Sequence, residues 1–301
     1  MNTHTLPHHI DVAATEPRWR TVVSVFKLRI GVLIMFTALA GLLIAPGPAP
    51  VLWQVALLAL AVLVSSASAG AFNQFVEADS DRLMRRTRGR AFASGRLHAG
   101  PAWMAVIVAL LAAAVGATWT AVNGTAAAFL FAGAFTYAVV YTVGLKRRTW
   151  MNIVFGGLAG SFAVLTGAAA VDPAIGALPL MLALVLFLWT PPHFWSLAIA
   201  NRDDYAAAGI PMLPVVVGTA RAAQIVHWNT VALVAASLLP LAAGAGPVYG
   251  IAAVLGGAHF LRHTYKLACD PQRRTAMASF FASMVQLAVL IVGVAIDAAL
   301  R

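Results

Sequence analysis

"VLWQVALLALAVLVSSASAGAFNQFVEADSDRLMRRTRGR", residues 51–90, begins as hydrocarbon and ends as charge. Its first half is an apolar run of about 20 residues, the length that crosses a bilayer as a helix. It shows none of the period-two alternation of a barrel strand. Lipid leaves no backbone polar group unpaired without cost, so the run must be helical. Its second half gathers three acids, Glu77, Asp79 and Asp81, followed by Arg82, Arg85, Arg86, Arg88 and Arg90.

The pattern recurs along the chain. Of the 301 residues 61% are hydrophobic and only 10% charged, against about 25% charged in a soluble domain. Nine apolar stretches are expected to span: 22–45, 51–72, 101–122, 125–144, 151–171, 175–199, 222–243, 247–268 and 277–299. The expected fold is therefore all-α, a polytopic membrane bundle of about nine helices. Residues 1–21 read as a polar cytoplasmic tail and 22–301 as one transmembrane domain. The first span reads as retained, because no convincing small-residue cleavage site follows it. The lone cysteine, Cys269, excludes an intrachain disulfide and a thiolate metal cluster.

The net charge of +10 does not indicate nucleic acid, because the charge is distributed by topology. Four connections, "APGPAP", "VNG", "VDPAIG" and "GAGPVYG", hold no Lys or Arg. The basic residues collect before the first span and in the alternate connections, which marks that side as cytoplasmic. The N-terminus is then inside and the C-terminus outside. Orientation does not account for the acids, which contribute little to topology yet concentrate on the same side.

On a helix continuing from the second span, Asn73, Glu77 and Asp81 lie at i, i+4 and i+8 and share one face. Asp79 points elsewhere. Aligned oxygens of this kind suit a hard cation such as Mg²⁺, which takes one or two carboxylates plus substrate phosphates. A second acidic group, Asn201, Asp203 and Asp204, follows the sixth span, four spans later, like a distant internal repeat. Lys27, Arg29, Arg86, Arg90, Arg96, Lys146 and Arg147 are the candidates to hold a diphosphate, since Arg matches phosphate oxygens in pairs. Carboxylates, a metal and cations around an apolar cavity describe a site that ionises a lipid diphosphate.

Three blocks carry a resemblance. "NQFVEADSDRLMRRT" (73–87) is similar to the acidic motif of the UbiA-type intramembrane prenyltransferases. "YTVGLKRRTWMNIVFGGLAGS" (141–161) and "TPPHFWSLAIANRDDYAAAGIPMLPVV" (190–216) resemble the haem-farnesylating branch of that family, and the likeness runs from about residue 24 to 295. It implies a nine-span helical fold and a reaction in which farnesyl diphosphate alkylates a vinyl group of haem b to give haem O. It implies Mg²⁺ as cofactor, with Asn73, Glu77 and Asp81 in the first metal and diphosphate motif and Asp203 and Asp204 in the second. It places Asn152 among the substrate-binding residues. It further implies a bacterial inner membrane, membrane lipid as surroundings, and haem A synthase or terminal-oxidase assembly as partners. The chain departs from the family at Glu77, where Asp is usual, at "RGRAFASGR" (88–96), which lacks a proline, and at "GSFAVLTG" (160–167), which lacks paired prolines.

His193, after Pro191 and Pro192, is expected to orient the haem together with Trp195. The aromatics Phe72, Phe75, Tyr137, Tyr141, Phe194 and Trp195 are candidates to line an isoprenoid cavity. His259 and His263 lie at i, i+4 on the eighth span and could share a ligand. His4, His8 and His9 are not expected to bind metal. The rival readings are a prenyltransferase of the same fold acting on a quinone-type aromatic acid, and a non-catalytic haem carrier.

Overall fold

The computed structural model describes residues 17–48 and 50–300. Most of the expected tail, with His4, His8, His9 and Glu16, lies outside the described residues, as do Ala49 and Arg301. Among the described residues the chain is helical and has no strands. In chain order the helices are α1 (Arg18–Val25), α2 (Leu28–Ile44), α3 (Leu52–Val76), α4 (Ala78–Leu83), α5 (Pro101–Ala121) and α6 (Gly124–Phe135). A π-helical segment, Thr136–Leu145, extends α6. Then come α7 (Asn152–Gly156), α8 (Leu158–Val171), α9 (Ala177–Ala200), α10 (Arg202–Ala207), α11 (Leu213–Val217), α12 (Thr219–Ala236), α13 (Leu239–Ala242), α14 (Pro247–Cys269) and α15 (Arg273–Ala299).

These elements fall on the nine expected spans. Seven helices, some of them formed by joined elements, are long and apolar enough to cross a membrane, and the bent pair α1 and α2 makes an eighth. The ninth, α14, has 23 residues, about 34 Å at 1.5 Å per residue, but His259, Arg262, His263 and Lys266 dilute its hydropathy. The boundary nearest the acidic face differs from expectation. The second span runs on to Val76, because Asn73 and Gln74 find partners inside the bundle. Helix α9 continues through Pro191 and Pro192. Beside them, the Thr190 and Ser196 hydroxyls donate to the carbonyls of Leu186 and Pro192.

Helices in lipid gain little hydrophobic force from one another, so small residues that allow close packing decide their crossings. At the crossing of α2 and α8 a Cβ on Gly167 would lie 1.7 Å from the Ala38 carbonyl oxygen, and one on Gly41 would lie 2.0 Å from that of Val164. Backbone meets backbone there, and no larger residue fits. This crossing sets α2 deep in the bundle, which matters because Lys27 precedes it. Lys27 has φ 48° and ψ 42°, a left-handed conformation costing a non-glycine residue roughly 1–2 kcal/mol. It forms the 40° bend between α1 and α2 and turns its side chain inward.

Candidate active site

The end of α3 and the π-helical segment meet the bend at Lys27. Backbone hydrogen bonds continue across the junction of α3 and α4, from Glu77 N–H to the Asn73 carbonyl (3.0 Å) and from Asp81 N–H to the Glu77 carbonyl (2.8 Å). Asn73, Glu77 and Asp81 therefore stay one turn apart, and all three are buried. Asp79 lies on the outer side, its side chain 88% exposed, paired with Arg82 at 3.0 Å.

Each inward group meets a partner from another element. Lys27 Nζ donates to Asn73 Oδ1 at 2.5 Å, and Asn73 Nδ2 donates to Thr142 Oγ1 at 3.1 Å. Lys146 Nζ donates to Glu77 Oε1. Arg90 Nη1 donates to both oxygens of Asp81, at 2.9 and 2.7 Å. The π-helical segment makes this convergence possible. Its wider turn bonds Lys146 N–H to the Tyr141 carbonyl, five residues back. It stacks Tyr137 on Tyr141 with ring centres 5.7 Å apart. Lys27 sits 6.0 Å from the Tyr137 ring and Lys146 5.7 Å from that of Tyr141, within cation–π reach.

Burying charges costs several kcal/mol per ion unless they are paired and hydrogen-bonded. Here three basic groups, Lys27, Lys146 and Arg90, face two carboxylates, a formal surplus of positive charge. One carboxylate oxygen, Glu77 Oε2, is buried with no partner. An orphan anionic oxygen beside surplus cations suits a hard cation that arrives together with a phosphate. Among the described residues no group of three or more His, Cys, Asp or Glu side chains forms a cage, so the donors fit a metal completed by its substrate rather than one held by protein alone.

The second acidic group repeats the first in backbone and differs in setting. Helix α9 ends at Asn201 and continues into α10 as α3 does into α4, with Tyr205 N–H bonded to the Asn201 carbonyl at 3.3 Å. The Asp203 side chain is 86% exposed, 3.7 Å from Arg202. Asp204 is 12% exposed and accepts from Arg85 Nε at 3.1 Å. Burial pushes the Asp204 carboxyl up, but hydrogen bonds from the Arg85 side chain and from the Arg86 and Arg85 backbone outweigh it and hold it below the ordinary carboxylate value. The four carboxylates Glu77, Asp81, Asp203 and Asp204 do not gather into one cluster; the arginine run between the groups joins them instead.

The remaining expected residues divide. Arg86 reaches the Tyr205 hydroxyl at 3.5 Å. Arg96 donates to the Gly89 carbonyl at 2.5 Å and to Ser94 Oγ at 3.2 Å, bracing its own loop. Arg29 and Arg147 are exposed. Asn152 is buried and donates to the carbonyls of Thr149 (2.6 Å) and Lys146 (3.4 Å), shaping the turn that carries Lys146. Trp195 is buried against Trp150, 6.3 Å between ring centres. His193 stacks on Trp189 (4.3 Å) and Phe280 (4.5 Å), and its Nδ1 lies 2.6 Å from Ser283 Oγ. These partners of His193 belong to α9 and α15, and none to the elements that carry Glu77 and Asp81. Thr142 and Tyr205 escaped sequence reasoning. Thr142 carries no local signal, whereas Tyr205 stands directly after the paired aspartates.

Residues 34–285 match the model of the UbiA prenyltransferase family. The chain belongs to that family. As a UbiA-family member it is a multi-pass membrane prenyltransferase. It is 55% identical to protoheme IX farnesyltransferase 2 of Paramagnetospirillum magneticum over 92% of this chain and 96% of that one. It is 40% identical to the protoheme IX farnesyltransferase of Granulibacter bethesdensis over 91% and 89%. Among solved folds it is similar to digeranylgeranylglyceryl phosphate synthase, with a TM-score of 0.76 and 16% identity over 94% of this chain and 99% of that one. A UbiA homolog from Archaeoglobus fulgidus, solved with GPP and Mg²⁺, superposes with a TM-score of 0.72 at 16% identity over 91% and 99%.

Proposed function

We propose that the chain transfers farnesyl from farnesyl diphosphate to a vinyl group of haem b, with addition of water, to give haem O and diphosphate. The observation that carries the proposal is the buried convergence of Glu77 and Asp81 with Lys27, Lys146 and Arg90. It is supported by relatives that are named as protoheme IX farnesyltransferases and by the neighbour solved with a prenyl diphosphate and Mg²⁺.

Glu77 and Asp81 are the residues to hold Mg²⁺ with the diphosphate, with Asp203 and Asp204 as the second acidic group at the mouth. The metal, when bound, neutralises charge that builds on the leaving diphosphate. Lys27, Lys146 and Arg90 hold the phosphate oxygens and stabilise the same charge, in a site where low dielectric strengthens them. Arg86, and at the rim Arg29, Arg96 and Arg147, attract the anion. The allylic C–O bond breaks with its electron pair leaving on diphosphate. The apolar helix walls keep water from the cation. The haem vinyl carbon forms the new C–C bond, needing about 3–3.5 Å of approach. Water then captures the resulting porphyrin-conjugated cation and releases a proton. His193, with Trp189 and Phe280 stacked on its two faces, has its ring edge left to meet haem iron or a propionate in this reading.

Mass spectrometry of haem extracted after incubating the purified protein with haem b, farnesyl diphosphate and Mg²⁺ tests the reading. The expected product carries a hydroxyethylfarnesyl group. Unchanged haem, or transfer to an aromatic acid instead, would refute it. The N-inside orientation in a bacterial inner membrane has its own test: a cytoplasm-only reporter works when fused after Arg90 and fails after Arg301.

A further inference from the structure

Among the described residues, helix α14 is the one long span whose hydropathy is diluted by ionisable side chains, and those side chains form a stripe. His259, Arg262, His263 and Lys266 lie at i, i+3, i+4 and i+7, on one face. His259, Arg262 and Lys266 are exposed and His263 is half-buried. One and two turns before His259, Leu255 and Ile251 are 63% and 60% exposed and continue the stripe as an apolar surface. His259 stands ten residues before Cys269, about 15 Å along the axis. Ionisable side chains on a helix are costly where lipid surrounds them and point to a function. The helix packs mainly on α12 and α15, so the stripe belongs to the outside of the bundle.

The histidine pair has the geometry of a metal ligand. The two ring centres are 4.5 Å apart. His263 Nδ1 lies 2.9 Å from the His259 carbonyl oxygen. A carbonyl only accepts, so Nδ1 carries the proton, and in the neutral imidazole the lone pair is on Nε2. A backbone carbonyl that holds Nδ1–H is the support by which ligating histidines are oriented. A free ion would need more: a protein zinc site takes at least three protein ligands, and no third donor joins these two among the described residues. A metalloporphyrin brings four nitrogens of its own and asks the protein for an axial imidazole. Its carboxylates need cations, and Arg262 and Lys266 flank His263. Its apolar edge needs a greasy surface, and Leu255 and Ile251 supply one.

We infer that this stripe is a docking site for a carboxylate-bearing iron porphyrin, with His263 Nε2 directed to the iron and Arg262 and Lys266 to the carboxylates. The inference rests on the haem reading of the active site and extends it to a second place on the molecule, where the substrate or product rests at the bundle surface.

The test is a titration of ferric haem into the full-length protein in lipid nanodiscs, followed by its Soret band. His193→Ala removes the imidazole assigned to the active site and is expected to retain one imidazole-ligated haem. Adding His263→Ala should remove that ligation and weaken binding by at least about 10–100-fold, the loss typical even of an outer-shell partner. Adding Arg262→Gln and Lys266→Gln instead should weaken binding and leave the ligation spectrum unchanged. If His193→Ala fails to fold, the same result is read in the wild type as loss of one of two ligated haems on His263→Ala. The inference is overturned if no imidazole-ligated haem depends on His263. It is overturned equally if Zn²⁺ alone binds the pair tightly and excludes haem. A wild-type protein that shows the His263-dependent haem and yet farnesylates none would sink the functional reading and leave the docking site standing.

Discussion

The two acidic groups make an instructive pair. Each follows a long helix, α3 or α9, that breaks at a polar residue and resumes as a six-residue helix, α4 or α10. In the first, Glu77 and Asp81 are buried among cations from three other segments. In the second, Asp203 faces solvent and Asp204 is held by an arginine that is itself 80% exposed. The same local sequence logic thus yields a low-dielectric charge cluster in one half and a hydrated mouth in the other. The difference lies in what packs opposite. The π-helical segment delivers Lys146, Tyr141 and Thr142 onto the first group, while the second is met by Arg85 and Arg86.

That contrast predicts a descending series of effects. Lys146→Met leaves Glu77 buried and unpaired, and should cost about 3–5 kcal/mol of stability, read as a lower unfolding midpoint in detergent. Glu77→Gln added to Lys146→Met should recover part of it; no recovery would mean that the pair is not the source. Asp81→Asn keeps an acceptor for Arg90 but loses the charge. Turnover should fall by at least about 100-fold, as for other electrostatic groups at a reacting centre, with the protein still folded in the membrane. Near-normal, still Mg²⁺-dependent turnover would remove Asp81 from the site. Arg85→Gln breaks a pair open to water on one side and should cost at most about 1 kcal/mol; a loss equal to that of Lys146→Met would erase the distinction between the groups. Asp79→Asn removes only a surface pair and should change stability by less than about 0.5 kcal/mol, with turnover close to wild type.

Much of this was legible in the chain. Apolar runs of bilayer length forced helices, because lipid allows no other open structure. The i, i+4, i+8 spacing placed Asn73, Glu77 and Asp81 together, because helical hydrogen bonding persists across the α3–α4 break. The different burial of the two acidic groups has no signal in the chain. Local sequence carries no information about what a long-range neighbour contributes.

The sequence by itself determined the solvent, the helical class, the number of long helices and the acidic face, since each follows from composition or from a period of a few residues. Only the tertiary structure decided which cation meets which oxygen of the acidic face. Lys27 reaches Asn73 across 46 residues and Lys146 reaches Glu77 across 69. Those distances are closed by the glycine crossing of α2 on α8 and by the wide turn of the π-helical segment. Neither has a local signature, because each depends on two distant backbones fitting together.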